Sequence, residues 1–79
     1  MKDLSIAKFD YKNEIIGNYT IAFQIETYEN KCRIIAELLY NERGGFHTRI
    51  KGIFQNYFPI EEKEKQIEEI RELLKLEMK

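Results

Sequence analysis

Seventy-nine residues, 43% apolar and 34% charged with a formal net charge of −1, specify one small folded globule, because a chain this short has a single core to build and this balance is not that of a disordered segment. Two domains are excluded by length, and an intrachain disulfide by the presence of one cysteine, Cys32. Cys32 and the single histidine, His47, cannot supply the four ligands that structural zinc takes, so neither metal nor cofactor is expected.

A lone thiol suits a reducing compartment. No stretch approaches the roughly 20 apolar residues of a membrane span, and none of signal-peptide length follows the N-terminus. The expected location is therefore cytoplasmic, in a bacterium or, for a phage-encoded chain, in its host. Twelve Ile, nine Lys, five Asn and five Tyr against three Ala and no Trp form the bias that AT-rich codons produce, which points to a low-GC bacterium, a phage or a mobile element.

In chain order, residues Leu4 to Tyr11 are expected to form a strand. From Tyr19 to Thr27 the pattern alternates, with Tyr19, Ile21, Phe23 and Ile25 on one face and Thr20, Ala22, Gln24 and Glu26 on the other, as in a half-buried strand. Residues 30 to 43 fit either a helix, giving a ββαβα order, or a second strand. Register favours the strand. A two-residue turn at Glu29-Asn30 sets Ile25 against Ile34, Phe23 against Ala36, Ile21 against Leu38 and Tyr19 against Tyr40, all apolar on one face. The same register sets Glu26 against Arg33.

A second turn through Asn41 to Gly45 is expected to pair Tyr40 with Phe46, Leu38 with Thr48, Glu37 with Arg49 and Ala36 with Ile50. From Ile60 the apolar positions Ile67, Ile70, Leu73, Leu74 and Met78 recur at helical spacing behind Pro59, with Glu61, Glu62 and Glu64 early and Lys75 late. The expected fold is α+β, a three- to four-stranded antiparallel meander with one C-terminal helix packed on one face.

No catalytic constellation can be assembled. Cys32 falls on the core face and His47 on the other, while the abundant carboxylates cluster on the solvent side of the final helix. Charge distribution is more informative than the total: residues 31–60 carry five basic and two acidic side chains, whereas both flanks are acidic.

In this register His47, Arg49 and Lys51 share the outer face with Arg33 nearby and Arg43 in the turn, and Ile35, Leu39 and Ile53 lie among them. An Arg-rich stripe with aliphatic side chains resembles a partner interface more than a solvated surface, unless Leu4, Ile6, Ile15 or Ile16 folds back over it. The functional expectation is thus a non-enzymatic interaction protein, a small cytosolic regulator or inhibitor, docking on a larger protein partner through Arg33, Ile35, Leu39, Arg43, His47, Arg49 and Lys51. A nucleic-acid-binding accessory protein using Arg33, Arg43, Arg49 and Lys51 on phosphates is the second reading, disfavoured by the net charge and by aromatics that fall on the core face. A homodimeric structural component is the third.

Overall fold

The computed structural model describes residues 6–78. Five strands precede one helix: β1 (Lys8–Ile16), β2 (Tyr19–Tyr28), β3 (Lys31–Asn41), β4 (His47–Phe54), β5 (Phe58–Pro59) and α1 (Lys63–Lys75). The four long strands make an antiparallel meander in chain order, and β5 pairs with β3 beyond the end of β4. This is the expected α+β plan. Residues 31–41 are strand throughout, which decides against the ββαβα order.

The β2–β3 register is the one the alternation predicts, from Tyr28 opposite Lys31 to Tyr19 opposite Tyr40. Four apolar pairs follow one another along one face, from Tyr19 with Tyr40 to Ile25 with Ile34, and a slip by one would turn all of them outward. Glu29 opens the turn with φ 56°, a left-handed conformation that costs a non-glycine residue free energy.

Two expectations need correction. The first strand is not Leu4 to Tyr11 but Lys8–Ile16, closed onto β2 by the two-residue turn Gly17-Asn18; Leu4 and Ser5 lie outside the described residues. Gly17 has φ +60°, the first-position conformation of a type II′ hairpin that glycine adopts without a Cβ penalty. The strand was hard to read because its helix-side positions Lys8, Asp10, Lys12 and Glu14 are all charged.

The second correction concerns β4. Its pairing opens with Asn41 opposite His47, Tyr40 opposite Thr48 and Leu39 opposite Arg49, then a bulge inserts Ile50 so that Leu38 faces Lys51, Ala36 faces Ile53 and Ile35 faces Phe54. An inserted residue reverses which side chains point to which face downstream. Ile53 thereby enters the helix side and packs against the core, and Phe54 turns outward.

The core lies between the sheet and α1. Ile21, Phe23, Ile25, Cys32, Ile34, Ala36 and Leu38 from β2 and β3 meet Ile67, Ile70 and Leu74 from the helix. Each large aliphatic residue buried this way contributes about 1.5 to 3 kcal/mol. Leu73 points away and is half exposed. In the C-terminal half of α1, Arg71 pairs with Glu14 of β1, and just past the helix Glu77 meets Lys51 of β4 at 3.1 Å.

Candidate protein-docking face

With α1 on one side, the other side of the sheet has no covering layer among the described residues. Cross-strand pairing assigns its side chains: Phe9, Tyr11, Asn13 and Ile15 from β1; Ala22, Gln24 and Glu26 from β2; Arg33, Ile35, Glu37 and Leu39 from β3; His47, Arg49 and Phe54 from β4. Alternation forces this, since successive strand residues point to opposite faces.

Several of these side chains are large, apolar and open to water. Tyr11, Ile15 and Phe54 are each more than 70% exposed, and Phe9 about half. Ile35 and Leu39 are half-buried between them. Between Tyr11 and Ile35, a shallow depression of about 190 Å³ is floored by Ala22 and edged by Asn13, Gln24 and Glu37. The small Ala22 side chain leaves room that its larger neighbours wall in.

One end of the face is capped by a polar cluster. Arg33 Nη2 donates to Glu26 Oε1 at 2.6 Å, and the Arg33 guanidinium lies 5.1 Å from the centroid of the Tyr57 ring, a cation–π arrangement. Glu26 is the one buried charged residue among the described residues. The Tyr57 hydroxyl, hydrogen-bonded to it, holds the Glu26 carboxyl below its ordinary value, with Arg33 assisting against the cost of burial. The same bond pushes the Tyr57 phenol up. Arg33 Nε is buried without a hydrogen-bond partner among the described residues.

The residues singled out in the sequence do not form one stripe. Ile35 lies near the middle of the face and Leu39 towards its His47 end, both on the outer face as expected. Arg33 is committed to Glu26 and Tyr57. His47 and Arg49 remain on the face and exposed, and Arg43 sits in the short 3-10 turn at the end of the β3–β4 hairpin.

Lys51, by contrast, is on the helix side because of the bulge at Ile50, with its ammonium against Glu77. Ile53 follows it there. Arg49 opposes Leu39 rather than Glu37, but its guanidinium folds back over Gly52 and reaches Glu37 diagonally at 3.7 Å. His47 faces Asn41.

Phe9, Tyr11, Ile15 and Phe54 were missed in the sequence. A signal existed for the first three: once Gly17-Asn18 is taken as a hairpin turn, they fall on one face by alternation. None existed for Phe54, whose orientation depends on the bulge. The covering segment considered for the outer aliphatics does not form from β1, since Ile15 is itself exposed on that face and Ile16 packs towards the core.

Cys32 is fully buried and burial pushes its thiol up, away from the reactive thiolate form. Among the described residues no group of three or more His, Cys, Asp or Glu side chains could hold a metal ion, and no helix is long and apolar enough to cross a membrane. Comparison with family models, curated proteins and solved structures finds no match for this chain.

Proposed function

We propose that this chain is a non-enzymatic interaction module, a small regulator or inhibitor that acts by laying its open sheet face against a larger protein. The observation that supports this reading is the row of exposed Tyr11, Ile15 and Phe54 around half-buried Ile35 and Leu39, on a face with no covering layer among the described residues. Large exposed apolar side chains interspersed with polar and charged ones, here Gln24, Glu37 and Arg49, are the mixed composition of a protein interface. Phe54 and Tyr11 are the expected anchors, since aromatic side chains carry much of the energy at such surfaces. The mechanism is occlusion: the sheet covers a functional surface of its partner, and His47, Arg43 and Arg49 at one end of the face orient the approach to an acidic neighbour.

Phosphate binding is the weaker reading. Of the four cations it requires, Arg33, Arg49 and Lys51 are paired with Glu26, Glu37 and Glu77. The test is affinity capture from a low-GC bacterial lysate, with and without nuclease, comparing the wild type with Phe54→Asp and Leu39→Asp. One dominant protein retained after nuclease and lost with both substitutions is the expected result. Retention that nuclease abolishes, or that both variants preserve, would overturn the proposal.

A further inference from the structure

We propose that the free edge of β1 pairs with the β1 edge of a second copy, antiparallel and centred on Tyr11, joining two sheets into one of eight long strands. The inference is independent of the docking face. It rests on the pattern of the edge strand.

β1 presents nine uninterrupted residues along the sheet margin, from Lys8 to Ile16. The opposite margin is unsuited to such pairing, because β4 bulges at Ile50 and gives way to β5 after a three-residue break. The turn at Gly17-Asn18 makes Ile16 and Tyr19 a pair that exchanges both backbone hydrogen bonds. By alternation Glu14, Lys12, Asp10 and Lys8 also direct their backbone groups to β2, while Ile15, Asn13, Tyr11 and Phe9 direct theirs outward to the free edge.

A two-fold axis at Tyr11 therefore lets Tyr11 exchange hydrogen bonds with its own copy, and Phe9 with Asn13 of the other chain. On the helix side this register sets Lys8 opposite Glu14 and Asp10 opposite Lys12, twice each by symmetry. All four contacts join opposite charges. Moving the axis by one residue to either side instead opposes Asp10 to Asp10 or Lys12 to Lys12, which is repulsive. Edge strands that merely resist aggregation gain from charges of one sign, whereas these alternating signs make four opposite-charge contacts with the axis at Tyr11 and only two with it at Phe9 or Asn13. An isologous contact of this kind closes at two copies and leaves no free β1 edge. It also brings the two docking faces side by side, with Tyr11 at their junction.

Sedimentation equilibrium of the full chain over a wide concentration range tests the proposal, with three variants beside the wild type. The wild type is expected to approach twice the mass of one chain. Lys12→Asp and Asp10→Lys each set like charges against each other at two symmetry-related contacts, and should weaken the dimer roughly tenfold or more. The double variant Asp10→Lys/Lys12→Asp restores opposite signs and should dimerise like the wild type. Circular dichroism on each variant separates lost pairing from lost folding. A wild type that stays at the mass of one chain, or a dimer that both single variants preserve, would overturn the inference. So would a folded double variant that fails to regain the dimer.

Discussion

Arg71 in α1 holds Glu14 in β1 with two parallel hydrogen bonds, Nε to Oε1 at 2.8 Å and Nη2 to Oε2 at 2.7 Å. The fork ties the helix to the edge strand, some 57 residues distant in sequence, and both side chains are largely shielded from solvent. It holds the Glu14 carboxyl at about 2 against an ordinary 4.5, chiefly through the Arg71 hydrogen bonds with Lys12 contributing. A carboxyl depressed by folding stabilises the fold fully above its unfolded value and loses that contribution as pH falls towards its folded value.

Glu14→Gln should accordingly cost on the order of 1 to 3 kcal/mol at pH 7. Urea unfolding of both proteins at pH 7, 5, 4 and 3 should show the gap between them closing below about pH 4.5. A gap that stays constant down to pH 3 would show that the fork does not set the Glu14 titration.

The Glu26–Tyr57 bond is separable from the Arg33 pair by one atom. Tyr57→Phe removes the hydroxyl and keeps the ring under Arg33, so the Glu26 carboxyl should rise towards its ordinary value. Carbon-detected NMR titration of the Glu26 carboxyl reads this directly. Loss of the hydrogen bond should also lower stability by about 1 kcal/mol. An unchanged Glu26 titration would mean that Arg33 alone holds the carboxylate.

At the β1–β2 turn, Gly17 needs its missing Cβ for conformation and not for space, since nothing lies within 4 Å of where a Cβ would be. Gly17→Ala should therefore destabilise by the left-handed penalty, about 1 to 2 kcal/mol, without disturbing packing. Equilibrium denaturation checks the magnitude. A neutral effect would mean that the turn relaxes to another type.

In the core, Ile70 is fully buried between the helix and the sheet, and Ile70→Ala should cost about 2 to 5 kcal/mol. Leu73→Ala, one turn's edge away and half exposed, should change stability by less than about 1 kcal/mol. Thermal melts of the two variants side by side test whether the helix packs in this rotation; a larger loss from Leu73→Ala would contradict it.

The parts of this fold that could be read in the sequence are those where period and register reinforce each other. Across the Glu29-Asn30 turn, apolar alternation and the Glu26–Arg33 charge match select one register, and the ion pair at 2.6 Å lies where that register puts it. Across the next hairpin the same reasoning fails at Ile50. A bulge is one residue breaking the period of two, and nothing in His47 to Phe54 marks where it falls, so alternation alone places Lys51 and Ile53 on the wrong face.

β1 was displaced for a different reason. Four of its helix-side residues, Lys8, Asp10, Lys12 and Glu14, are charged while Phe9, Tyr11 and Ile15 face outward, the inverse of a half-buried strand; Glu14 meets Arg71 there, and only Ile16 reaches the core. The outward placement of Ile35 and Leu39 is legible from alternation in β3. Of the aromatic residues on the docking face, Tyr11 is legible once Gly17-Asn18 is read as a hairpin turn, and Phe54 is not, because its orientation depends on the bulge.

The central claim, that the uncovered sheet face engages a larger protein, is tested most directly by placing a photo-crosslinking benzoyl-phenylalanine at Phe54 and, separately, at Leu76, exposed at the C-terminal cap of the helix. Irradiation in a low-GC bacterial lysate should give one discrete protein adduct from position 54 and none from position 76. Adducts from position 76 alone would contradict the account and move the interface to the helix.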